Sequence, residues 1–166
     1  MRKIAALIAG LLVLLLVNAS IYQREQLLST GNVVLLELAP VDPRSLMQGD
    51  YMALRFKLEN DFRAQPLPTA ENGRVVVQLD ERGVATFLRR DDGSPLRPGE
   101  LALKYRIRNT QLKFATNAFF FEEGTADRYT AARYGEFRVA PSGDMLLTAL
   151  RDKDLQPLGA QTQSAR

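Results

Sequence analysis

The most continuous apolar stretch of the chain lies at its N-terminus. Ile4 to Val17 contains no charged residue, and a less strictly apolar continuation reaches Tyr22. A helix over residues 4–22 would be roughly 28 Å long, close to the ~30 Å hydrocarbon core of a bilayer. The pattern therefore predicts a transmembrane anchor over residues 1–22, followed by a stalk or helix tail over residues 23–31.

The charges beside this stretch predict its orientation. Arg2 and Lys3 precede the apolar run, and fewer basic residues follow it. The positive-inside tendency then places the N-terminus in the cytoplasm and the rest of the chain outside the membrane. A cleaved secretory signal is the alternative, because Val17-Asn18-Ala19 offers small residues at a spacing that signal peptidases accept. Cleavage near Ala19 would leave the exported domain soluble.

Downstream of Gly31, short strand-like stretches alternate with turn residues. Tyr51 to Leu58 alternates in polarity, and Glu100 to Arg108 repeats the pattern with Lys104 and Arg106 on its polar face. Such a period of two is typical of half-buried strands. We predict further strands at Val33–Ala39, Arg74–Leu79, Val84–Leu88, Leu112–Phe121, Glu136–Ala140 and Met145–Leu150.

The turn residues complete the predicted fold. Asp80-Glu81-Arg82-Gly83 and Pro141-Ser142-Gly143-Asp144 each predict a hairpin. Residues 59–72 are typical of a surface loop, and Asp127–Tyr134 is the helical candidate downstream of the anchor. The fold class is therefore mainly β, an antiparallel sheet or partly open barrel-like domain with one short crossover helix. It spans residues 32–160, and residues 161–166 are predicted to be a disordered tail.

Composition excludes several classes of chemistry. The chain of 166 residues contains neither cysteine nor histidine, so thiol nucleophiles, imidazole relays and ordinary zinc or haem ligation are absent. The net charge of +3 includes Arg2 and Lys3, which leaves the rest nearly neutral and predicts no nucleic-acid partner. We predict no cofactor, no metal ligand and no catalytic residue.

The stretch Gly49-Asp50-Tyr51-Met52-Ala53-Leu54-Arg55-Phe56 opens the alternating strand. It resembles the signature of the GDYXXLXY family of uncharacterised bacterial membrane-anchored proteins, through Gly49, Asp50, Tyr51 and Leu54. Phe56 stands where the family name has tyrosine, which keeps the ring and removes the hydroxyl. The later block from Phe119 to Gly124 is also similar to an aromatic and acidic stretch of that family.

The resemblance implies a location rather than a reaction. Family members have one N-terminal transmembrane segment and tend to be encoded beside, or fused to, a multi-pass membrane protein. The resemblance thus implies an accessory protein of the bacterial cytoplasmic membrane, anchored by residues 4–22, with its domain in the periplasm or outside. The signature residues are candidates for a structural or contact role. Phe119, Phe121, Glu122 and Glu123 are candidates for an interaction patch, although Phe119 and Phe121 also fit the core side of a strand.

Two alternatives concern the charged residues. Carboxylates at Asp50, Glu122, Glu123 and Asp127 suit acid–base chemistry or a hard cation such as calcium, which would make the domain an envelope hydrolase or a cation binder. Solvated or capping carboxylates fit the same pattern. The basic residues would meet anionic lipid if their face lies near the bilayer, or would form a solvated sheet face; they are Arg89, Arg90, Lys104, Arg106 and Arg108.

Overall fold

The computed structural model describes residues 2–39, 47–48, 51–64, 70–108 and 111–159. Its first element is α1, Arg2–Thr30, a continuous helix that includes the predicted anchor and nearly all of the predicted stalk. The residues after Tyr22 are mostly good helix formers, so the helix continues beyond the apolar stretch. It ends at Thr30, and the N–H of the following Gly31 donates to the Leu27 carbonyl at 3.0 Å.

The described part of the β domain contains three antiparallel sheets. Their strand orders are β1-β9-β10, β2-β3-β8 and β5-β4-β6-β7, which confirms the predicted fold class. The strands are β1 Asn32–Glu37, β2 Met47–Gln48, β3 Tyr51–Ala53, β4 Asn72–Leu79, β5 Ala85–Arg90, β6 Glu100–Arg108, β7 Gln111–Lys113, β8 Ala118–Phe120, β9 Tyr134–Val139 and β10 Met145–Arg151.

Both predicted hairpins are present. In the turn between β4 and β5, Asp80 Oδ1 accepts hydrogen bonds from the N–H groups of Arg82 and Val84, each at 2.8 Å. The turn between β9 and β10 contains Gly143 at a φ of 87°, in the left-handed region that favours glycine. These local turn residues therefore predicted the pairing of the strands beside them.

The helix α2, Lys57–Arg63, corrects two predictions at once. The expected strand over residues 51–58 ends at Ala53, and the expected loop over residues 59–72 begins as helix. Glu59 explains the switch, because its Oε1 accepts the backbone N–H of Phe56 at 3.3 Å and so closes the first turn of α2. The alternation over residues 51–58 still identifies the buried face, because its apolar positions all lie in the core: Met52, Leu54, Phe56 and Leu58.

The predicted helix over Asp127–Tyr134 was wrong in length and type. The chain forms a short 3-10 helix, Ala126–Tyr129, and Tyr134 already belongs to β9. There, Tyr134 pairs in register with Glu37 of β1 and Arg151 of β10. The pairing of Tyr134 with strands on both sides outweighs the local helical preference of residues 127–134. The predicted strand over residues 112–121 is likewise divided between β7 and β8.

One hydrophobic core joins the three sheets and α2. Its largest fully buried side chains include Phe56, Phe62, Phe137, Leu103 and Leu150. No described residue of α1 belongs to this core. The β domain therefore buries its apolar side chains without using the N-terminal helix.

Candidate functional site

The strand that carries the signature lies beside the strand of the second sequence block. Gly49 and Asp50 lie outside the described residues, whereas Tyr51 begins β3. Tyr51 of β3 is opposite Phe120 of β8, and the two ring centroids are 5.8 Å apart. The fold thus brings together the signature and the later aromatic block, which are far apart in the chain.

The last two signature positions are packing positions. Leu54 is 1% exposed and Phe56 is 0% exposed. The Phe56 ring makes edge contacts with Phe114 and Phe137, at centroid distances of 6.2 and 5.5 Å. A Cβ atom at Gly135 would lie 3.2 Å from the Phe56 ring, so glycine leaves the space that the ring needs. Both side chains therefore belong to the hydrophobic core.

A small polar cluster fixes the end of the signature strand. The Leu54 N–H donates to the Asn117 carbonyl at 2.7 Å, and Asn117 Nδ2 donates to Glu59 Oε1 at 3.3 Å. Because Glu59 also accepts the Phe56 N–H, one carboxylate connects the signature, α2 and the segment before β8. Burial raises the pKa of Glu59, although its backbone hydrogen bond and the nearby arginines oppose that shift.

The raised pKa of Glu59 predicts a pH-dependent effect of Glu59→Gln. When the pH rises through that pKa, the folded wild type gains a carboxylate whose burial is unfavourable, so it loses stability relative to the neutral variant. Between pH 4 and pH 7, the variant's free energy of unfolding should therefore rise relative to that of the wild type. Urea unfolding at the two pH values measures this difference. Other titrating groups are the same in both proteins, so a constant difference would contradict the argument.

The aromatic block divides into a packed side and an exposed side. Phe119 and Phe121 both contact Tyr129, at centroid distances of 5.0 and 5.3 Å, and pack against the core. Phe120, which lies between them, is 74% exposed. The predicted patch therefore omitted its most exposed aromatic residue, which strand alternation pointed to once Phe119 and Phe121 were placed on the core side.

A family model described as GDYXXLXY protein matches residues 13–150. The chain belongs to the GDYXXLXY family. The match includes part of α1 together with β1 to β9 and most of β10, which confirms the resemblance noted from the signature. Comparison with curated proteins and with solved structures gave no match.

The acidic residues of this GDYXXLXY protein do not converge in the described structure. Glu122, Glu123 and Asp127 are all exposed, and Asp50 lies outside the described residues. Within the described ranges, no group of three or more acidic residues is placed to hold a metal ion. The geometry therefore adds nothing in favour of a carboxylate enzyme or a cation site.

The apolar helix of the GDYXXLXY protein is almost entirely exposed where its side chains are described. Its segment Ile8–Thr30 is long and apolar enough to cross a membrane. The described side chains of that segment are exposed except for Leu27, which is half-buried. Length, composition and exposure together make α1 a candidate membrane span.

Proposed function

We propose that this GDYXXLXY protein is a single-pass accessory protein of a bacterial cytoplasmic membrane, with its β domain on the outer side, where it binds a multi-pass membrane protein. The exposed apolar surface of α1 carries the proposal. Leu11, Leu14 and Leu16 expose 62%, 60% and 61% of their surface, although the β domain has a complete core of its own. Leaving such a side chain in water costs about 1.5–3 kcal/mol, so a bilayer is the natural surrounding for this helix.

The charge distribution supports the orientation with the N-terminus inside. Arg2 and Lys3 precede the apolar stretch, whereas the first turns beyond Tyr22 carry Arg24 beside Glu25. Basic residues near a span favour the cytoplasmic side, and acidic residues contribute little. The arrangement would put the β domain in the periplasm or outside the cell.

The edge of the sheet that contains the signature strand is the contact surface we propose. In the described structure, β8 lies at the edge of the order β2-β3-β8 and presents the exposed Phe120 ring. Glu122 and Glu123 follow it directly and are also exposed. An exposed aromatic ring with a polar rim is typical of a protein interface.

Affinity purification from membranes in mild detergent tests this function. We expect the tagged full chain to retain a stoichiometric partner with several transmembrane segments, identified by mass spectrometry. Phe120→Asp should lower recovery of that partner about tenfold or more, because it places a charge in the centre of the contact. Leu96→Asp is the matched control, since Leu96 is an exposed apolar residue in the link between β5 and β6. Absence of a membrane partner, or equal recovery with both variants, would contradict the proposal.

A further inference from the structure

An open cleft of about 1460 Å³ separates the last turns of α1 from the β domain. Ser20, Tyr22 and Arg24 line it from the helix. Residues of β4, β6 and β7 line the opposite wall. The cleft therefore begins where the apolar part of α1 ends, at the height where a membrane surface would lie.

The wall opposite α1 carries basic residues in register. Arg74 of β4 is opposite Lys104 of β6, and Arg106 of β6 is opposite Lys113 of β7. We call these four residues the cationic face; all four side chains are exposed. Like charges directly opposite each other in a sheet are unfavourable, so a stable cationic face favours an anionic partner.

Two of the four basic side chains of the cationic face form ion pairs within the protein. Arg74 forms an ion pair with Asp91 at 2.6 Å, and Lys104 forms one with Asp144 at 2.8 Å. Arg106 and Lys113 have no ion pair with any residue in the described ranges. The uncompensated charge therefore lies at the β7 edge of the sheet.

Of the basic residues that the sequence predicts to share a face, Arg89, Arg90 and Arg108 do not line this cleft. Arg108 forms an ion pair with Glu71 at 3.8 Å. Arg89 pairs with Asp92 and Glu100, at 3.1 and 3.3 Å. The Arg90 guanidinium lies 5.9 Å from the centre of the Phe62 ring. These side chains interact with partners inside the domain. In this they differ from Arg106 and Lys113.

The junction between α1 and the domain is closely packed. Arg138 Nη1 donates to the Gly31 carbonyl at 3.2 Å. A Cβ atom at Gly31 would lie 3.2 Å from that of Arg138, so the two backbones approach closely there. This packing joins the end of α1 directly to β9 of the domain.

We propose that the cationic face binds anionic phospholipid headgroups of the membrane that contains α1. This inference rests on the proposed anchoring of the helix. Tyr22, at the end of the apolar stretch, and all four residues of the cationic face line the same cleft. Attraction to an anionic leaflet falls off within a Debye length, about 8 Å at physiological salt, so the headgroups that bind are those that enter the cleft beside Tyr22. Lipid is favoured over an acidic protein because the cleft is continuous with the membrane-proximal part of the helix.

A spin label tests this contact in the full chain. The protein has no cysteine, so Ala115→Cys, an exposed position that lines the cleft, provides a single attachment site. The labelled chain is placed in nanodiscs of phosphatidylcholine alone or mixed with phosphatidylglycerol. We expect the phosphatidylglycerol to shield the label from a water-soluble nickel complex. Arg106→Gln/Lys113→Gln should lower the ratio of shielded to accessible label about tenfold or more.

A charge-matched variant controls for net charge. Arg63→Gln/Arg97→Gln removes two exposed arginines outside the cleft and should leave the shielding unchanged. Equal accessibility in both lipid mixtures, or equal loss with both double variants, would overturn the proposal. Equal shielding by inorganic phosphate in neutral nanodiscs would also overturn it, because the face would then bind a free anion.

The anchor is tested separately in the same samples. At high salt, headgroup attraction is screened, whereas insertion of an apolar helix is not. Co-elution of the chain with phosphatidylcholine nanodiscs at high salt therefore reports on α1 alone. Loss of co-elution would mean that the anchoring had failed. Retained co-elution with a label that does not respond to lipid charge would refute only the lipid contact.

Discussion

Phe56→Ala is expected to lower the free energy of unfolding of the β domain by about 3–5 kcal/mol, the range for removing a large buried aromatic side chain. Phe56 is fully buried, and its ring contacts Phe114 and Phe137. Gly135 keeps space open for that ring, so the truncation would leave a cavity with little prospect of collapse. A loss of this size is a large part of a typical domain's stability. Urea or thermal unfolding of the full chain in detergent measures it.

Phe120→Ala is the matched control for this prediction. Phe120 lies in the strand opposite the signature but is mostly exposed. Its truncation should change the free energy of unfolding by no more than about 0.5 kcal/mol, as is usual for surface substitutions. Similar effects of the two variants would contradict the packing role assigned to Phe56.

Replacing residues 1–22 by a cleavable secretion signal should move the β domain from the membrane fraction to the soluble periplasmic or secreted fraction. The released domain should stay folded, with a free energy of unfolding within about 1 kcal/mol of the anchored chain, because no side chain that the structure describes in α1 belongs to the core. Fractionation and urea unfolding measure the two effects.

An unrelated apolar helix fused in place of residues 1–22 provides the control for that experiment. It should restore the membrane fraction, because insertion depends on length and hydrophobicity rather than on a particular sequence. Persistence of the helix-free domain in the membrane fraction would contradict the anchoring role of α1. Unfolding of the released domain would contradict the independence of its core.

Strand periodicity in the sequence predicted much of the β domain, and local competition explains the failures. Glu100–Arg108 has the same bounds in the sequence prediction and in the structure. The helix α2 was missed because Leu54 and Leu58 are compatible with both a strand period and a helix period. The hydrogen bond from the Phe56 N–H to Glu59 marks the point at which the chain changes from strand to helix. Such a contact depends on the folded geometry.

The candidate surfaces were less predictable because they depend on pairing between distant parts of the chain. Alternation placed Lys104 and Arg106 on one side of β6, but Lys113 joins them only through the register of β7. In the same way, Tyr51 and Phe120 meet because β3 pairs with β8. No local pattern in the sequence specifies either pairing. The candidate membrane span, in contrast, depends on one continuous apolar stretch, which hydropathy alone identifies.

The intact mass of the protein extracted from the membrane fraction tests the membrane anchoring most directly. A retained anchor predicts a mass that includes residues 1–22, so that the apolar helix and the β domain remain one chain. Cleavage after Ala19 would give a chain that begins at Ser20 and lacks most of the apolar stretch. That mass, with the protein in the soluble fraction, would contradict the account.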